Sequence, residues 1–142
     1  NATVASQESL DVVLVLREVE RRMAAELSRA GVDLELMVPP QLPAVRGDAT
    51  VLETALVRLV RHRIAGSHAI ASLTLSARTA GEEEDESVLI SLIDSGSDGS
   101  DSGDEEPRVV RETVAILGGE IQTVQDPETG RISMIRLGCA PS

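Results

Sequence analysis

The chain has 142 residues, a formal net charge of -11, no Phe, Tyr or Trp, and a single Cys. It also has no Lys, so all 13 basic residues are Arg, which removes a P-loop, a Schiff-base amine and a Ser-Lys dyad. One Cys (Cys139) and two His (His62 and His68) exclude Cys-rich zinc sites and an HExxH helix, and no metal site is expected. Without aromatic platforms, and with this acidity, nucleic acid is not an expected partner. A hydrophobic fraction of 42% predicts one folded domain whose core is aliphatic.

Residues 1–8 are small and polar and read as a leading linker, with one domain over 9–142. Ser9 is the candidate N-cap of a first helix, whose apolar series is Leu10, Val13, Leu16, Val19, Met23, Leu27 and Ala30, and Gly31 is its stop. Val32 to Val38 alternates as a strand before a loop with Pro39, Pro40 and Pro43. Asp48 caps a second helix with the stripe Val51, Leu52, Ala55, Leu56, Leu59, Val60 and Ile64, ending at Gly66. Ile70 to Ala80 alternates as a half-buried strand, the acidic turn 81–86 follows, and Ser87 to Asp94 reads as a central strand.

A Ser/Gly/Asp loop reaches about Glu106, and Pro107 opens a third helix carrying Val110, Val114 and Leu117 and ending at Gly118-Gly119. Two last strands, Glu120–Gln125 and Arg131–Leu137, flank a hairpin turn. The order α-β-α-β-β-α-β-β predicts an α/β (α+β) two-layer sandwich, with five strands in a mixed sheet and three helices on one face.

The acid excess is local. Glu82 to Glu86 supplies five acids and Asp94 to Glu106 six, and no Arg lies between Arg78 and Arg108. Setting those 11 aside leaves 13 acids against 13 arginines, so the rest of the domain is balanced. No apolar run approaches the roughly 20 residues a bilayer span needs, and the lone Cys fits a reducing compartment, so a cytoplasmic location is expected. Because Asn1 is not an initiator Met, the chain reads as a fragment or processed product of a larger protein.

Three stretches carry a resemblance. "GVDLELMVPPQLPAVRGDATVLETAL" holds a strand, a loop and Gly47-Asp48 before a helix; "VLISLIDSGSDG" is a strand ending in an Asp-x-Gly box; "VVRETVAILGGEIQTVQDPETGRISMIRLGCAP" is a terminal helix, a Gly-Gly turn and a hairpin. In this order they resemble the ATP-binding catalytic domain of sensor histidine kinases, within the gyrase, chaperone, kinase and mismatch-repair (GHKL) ATPase superfamily, from about Leu10 to Ala140. The resemblance implies a Bergerat-like fold and a nucleotide pocket, with Asp94 accepting the exocyclic amine of adenine and Gly96 in register behind it. Gly99 restores the second Gly of the box after a one-residue slip, because Asp98 stands in its place.

The same resemblance exposes losses. The family's Asn-Leu-x-x-Asn-Ala pattern, whose Asn binds Mg²⁺, is here Arg58-Leu59-Val60-Arg61-His62-Arg63, and the Lys that follows it is replaced by Ala65. A hard Mg²⁺ ion takes oxygen ligands, and a guanidinium beside its site repels it. No Phe box exists, and the glycine-rich lid is replaced by Asp104-Glu105-Glu106-Pro107-Arg108-Val109-Val110, whose carboxylates repel phosphates. The pocket residues Asp94, Gly96, Gly99, His62 and Arg58 therefore read as a vestigial nucleotide site, with no catalytic residue and no cofactor.

Arg58, Arg61 and His62 form a cationic ridge that acids of 98–106 are expected to neutralise; otherwise both arginines are ordinary solvated helix residues. Asp94, Asp98, Gly99 and Glu105 also partly fit a calcium loop, but Gly96 stands at its third position and a strand, not a helix, leads into it. Neither His is followed by the acid of a kinase phosphoacceptor motif, and Cys139 reads as a packing residue.

The expected function is a non-catalytic, histidine-kinase-like interaction or regulatory module in two-component-type signalling. Its expected partner is a response-regulator receiver domain or another domain of the same protein. The alternative is a working ATP domain, with ATP and Mg²⁺, of a divergent sensor histidine kinase.

Overall fold

The computed structural model describes residues 9–66, 72–81, 86–95, 108–126 and 130–139. The first helix starts two residues later than Ser9 suggested. Ser9–Leu10 forms a short strand, β1, while α1 (Val12–Ala30) is capped by Asp11, whose Oδ1 accepts the N–H groups of Val13 at 2.9 Å and Leu14 at 3.4 Å. A carboxylate at that place satisfies orphan donors and complements the helix dipole. Ser9 is unavailable because it pairs across to Arg46. Gly31 ends α1 in the left-handed region, at φ 71°, with its N–H directed to Leu27 and Ser28 carbonyls.

β2 (Asp33–Met37) follows, and β3 (Val45–Arg46) pairs antiparallel with β1 in a small ribbon that periodicity did not reveal. Two-residue strands are too short to show alternation. α2 (Ala49–Gly66) starts at Asp48 as expected, the Asp48 carboxylate accepting the Thr50 N–H at 2.8 Å. β4 (Ser72–Ala80) and β5 (Ser87–Ser95) are antiparallel neighbours; the start of the strand expected at Ile70 lies outside the described residues. α3 (Arg108–Ile116), β6 (Glu120–Asp126) and β7 (Gly130–Gly138) complete the chain, and the expected role of Pro107 likewise lies outside the described residues.

The five-stranded sheet has the order β2-β4-β5-β7-β6, with β5 in the centre. β2 and β4 run parallel because α2 crosses between them, and the other neighbours are antiparallel, so the sheet is mixed as expected. Alternation then separates its faces. Leu73, Leu75, Val88, Ile90, Leu92, Ile135 and Leu137 are buried under the helices together with Leu16, Val19 and Met23 of α1 and Leu52, Leu56 and Leu59 of α2. This is an α/β two-layer sandwich, with no aromatic residue in its core.

β6 begins in close contact with β7. A Cβ built on Gly119 would lie 2.5 Å from the Arg136 carbonyl oxygen and 2.6 Å from Leu137 Cδ2. A methyl group there has to push the two strands apart, since one neighbour is backbone. Gly119→Ala is therefore expected to destabilise the fold by about 2 kcal/mol and lower the melting temperature by roughly 5 °C, measured by circular dichroism.

Candidate functional site

Four polar side chains stand where the sandwich pattern calls for apolar ones. Arg63 continues the buried row Leu56, Leu59, Val60 of α2 at helical spacing, and Asp94 continues Val88, Ile90, Leu92 along β5. On β7, Arg131 and Ser133 precede Ile135 and Leu137 in the same phase. Register brings them together. Asp94 lies directly opposite Arg131, and Ser133 opposite Leu92, while α2 crosses above them.

The contacts are specific. Arg63 Nε lies 3.4 Å from Asp94 Oδ2, with both side chains fully buried. Arg63 also donates to Ser133 Oγ, which lies 3.0 Å from Thr123 Oγ1 on β6. Asp94 Oδ1 accepts the Arg131 main-chain N–H at 3.3 Å. Two guanidinium groups, those of Arg63 and Arg131, are thus buried in the neighbourhood of one carboxylate. A buried carboxylate is costly unless charge and hydrogen bonds compensate it, and here both come from the protein itself.

The other expected site residues are dispersed. Arg58 is exposed and His62 half-buried on α2. Arg61 is engaged within the helix layer. Its guanidinium forms a forked pair with Glu26 of α1, Nη2 to Oε1 at 2.7 Å and Nε to Oε1 at 3.0 Å, and Arg61 holds the Glu26 carboxyl below its usual range. The physical reason is layer packing: α1 and α2 lie side by side, so their outward-facing charges meet one another. Gly96, Gly99, His68 and the acids of 98–106 lie outside the described residues, as do the lid contact and calcium loop read from them. Among the described residues no three His, Cys, Asp or Glu side chains converge as a metal site.

Arg63 is the site residue that the family motif does not single out, because the motif's Asn positions fall on its neighbours Arg58 and His62. The signal was present. Arg63 is four residues beyond Leu59 and seven beyond Leu56, in phase with the buried face of α2. In-phase polar residues at the ends of two apolar strands, Asp94 and Arg131, supply its counterpart.

Comparison with known proteins agrees on architecture. No family model and no curated protein matches the chain. Among solved structures, the ATP-binding domain of PrrB from Mycobacterium tuberculosis is similar with a TM-score of 0.73 and 21% identity, over 96% of this chain and 99% of that one. The Acinetobacter baumannii histidine kinase AdeS is similar with a TM-score of 0.71 and 19% identity, over 94% of this chain and 68% of that one. Histidine kinase ThkA in complex with response regulator protein TrrA has a TM-score of 0.71 at 15% identity, covering 93% of this chain and 41% of that one. The chain therefore has the fold of histidine kinase ATP-binding domains.

The buried pair makes an asymmetric prediction for stability. Asp94→Ala strands Arg63 and Arg131 without the carboxylate and is expected to cost about 3–5 kcal/mol. Arg63→Met keeps the side-chain volume and leaves Asp94 the Arg131 N–H, so its cost is expected to be smaller. Urea denaturation midpoints of the two variants and of the double variant give the coupling directly.

Proposed function

We propose that this chain is a histidine-kinase-like domain of the gyrase, chaperone, kinase and mismatch-repair superfamily that has lost productive nucleotide binding and serves as an interaction or regulatory module in two-component-type signalling. The observation that carries the reading is the Arg63–Asp94 pair. By resemblance Asp94 is the acceptor of the adenine amine, and here its carboxylate is fully buried against a guanidinium from the protein's own helix. An adenine ring entering that place has to separate the pair and leave Arg63 buried beside Arg131. Breaking a buried pair costs about 3–5 kcal/mol, which is roughly a hundred- to several-thousandfold in affinity.

Other residues support the same reading. The two positions that correspond to the family's Asn residues hold Arg58 and His62, neither an oxygen ligand for Mg²⁺, and no Lys is available for phosphate. The acids between Asp98 and Glu106 would repel a triphosphate where a glycine-rich lid would cradle it. A receiver domain, or another domain of the same signalling protein, is the partner class this module would serve. The solved complex of ThkA with the response regulator TrrA supplies the structural precedent for a receiver partner. Among the described residues no helix is long and apolar enough to cross a membrane.

Calorimetry with ATP and with ADP, in the presence of Mg²⁺, tests the proposal. No heat of binding is expected up to about 1 mM nucleotide, where the favourable free energy is only about 4 kcal/mol. Micromolar affinity that disappears in Asp94→Ala would overturn it and establish the chain as a working, divergent ATP domain.

A further inference from the structure

The helices occupy one face of the five-stranded sheet, and among the described residues no helix lies across the other. The side chains of that outer face are those between the buried ones, and cross-strand register sorts them into rows. Arg78, Leu89, Arg136 and Glu120 form the row at one end. Met37 and Met134 fall in the next row, on either side of Ser76 and Ser91. Glu35, Ile93, Ile132 and Val124 belong to the third, and Asp33 lies beyond it on β2. A sheet face that meets water is ordinarily the polar one. Here Leu89, Ile93, Ile132 and Met134 are only half-buried, while Val124 is 37% exposed and Met37 56%.

The two ends of this face carry opposite signs. Arg78 and Arg136 are exposed in the first row, where Glu120 stands beside Arg136, so Arg78 gives that end its positive sign. Asp33 and Glu35 are exposed at the other end, on β2. An apolar middle between ends of opposite charge is complementary to itself under a two-fold axis. With the axis across the strands, between the rows of Ser91 and Ile93, Met37 and Met134 of one copy meet Ile93 and Ile132 of the other. Arg78 of each copy then comes over the β2 end of the other, beside Asp33 and Glu35. An axis along the strands would instead set Arg78 of one copy over Arg136 of the other, and facing like charges are destabilising. The face measures about 24 by 25 Å, so two of them bury roughly 1,200 Å², the lower end of specific interfaces.

We propose that the outer sheet face binds a second copy of the chain, sheet against sheet, with the strands of the two copies running in opposite directions. Burial of the apolar rows supplies the affinity, and Arg78 with Asp33 and Glu35 sets the orientation. A foreign partner would need the same apolar middle with the end charges reversed in place, which a second copy supplies through symmetry alone. The net charge of -11 on each copy opposes the approach, and added salt relieves this long-range repulsion more than it weakens a close pair. The interface shares no residue with the Arg63–Asp94 cluster, which faces the helices, so it stands whether or not nucleotide binds.

Sedimentation equilibrium of the whole chain tests the proposal, with nucleotide absent and salt at about 0.3 M, where the Debye length is about 6 Å. Between about 10 and 500 μM protein, the apparent mass is expected to rise reversibly from that of one chain toward that of two. Arg78→Glu and Asp33→Arg, both at exposed positions, are each expected to weaken the dimer about tenfold. An equimolar mixture of the two variants is expected to regain it, because both contacts between the copies then join opposite charges again. Ser91→Glu, which brings a charge into the middle of the face, is expected to abolish the dimer while circular dichroism reports a folded chain. A monomer throughout, dimers of unchanged strength in the single variants, or a mixture that does not regain the dimer would each overturn the proposal.

Discussion

Among the described residues, the helix layer and the sheet are joined by a buried polar cluster in which Arg63 meets Asp94 and Ser133. A sandwich of aliphatic side chains is insensitive to small sliding movements, because dispersion and burial have little direction. A buried ion pair is directional. It holds α2 at one height over β5 and, through Ser133, over β7 as well. Its stabilising value is not the point, since a well-packed apolar pair of the same volume can do as well. Its consequence is that neither partner can be withdrawn cheaply once the other is buried.

The same contact follows from composition. A core without Phe, Tyr or Trp must fill the space between its layers with aliphatic residues, and Arg63 is the largest of its fully buried side chains. The methylene stem of an arginine packs as an apolar group while its head needs a polar destination. Asp94 and Ser133 provide that destination. Asp94, which by resemblance would face adenine, is the buried acceptor in that contact.

Surface charge is organised by a different rule. On the helix layer arginines meet glutamates from the neighbouring helix, as in Arg61 with Glu26 and Arg22 with Glu53. Exposed pairs of this kind are screened by solvent, so they cancel charge more than they stabilise.

Most of the architecture was legible in the sequence because it rests on periodicity. The stripes of α1 and α2, the alternation of β4, and the stops at Gly31 and Gly118-Gly119 follow from local geometry, and the resemblance pointed to the fold that the solved histidine kinase domains share. The N-cap is Asp11 and not Ser9, because the pairing of Leu10 with Val45 keeps the chain extended there, which no local pattern shows. Arg61 reads from the sequence as part of a cationic ridge, and only the packing of α1 beside α2 reveals its partner Glu26. What the sequence determined alone was the phase of each residue: Arg63, Asp94, Arg131 and Ser133 all fall on inward positions. Which of them meet was decided by strand register and by the height of α2 above the sheet. Those are long-range quantities, and a local pattern carries no distance between elements far apart in the chain.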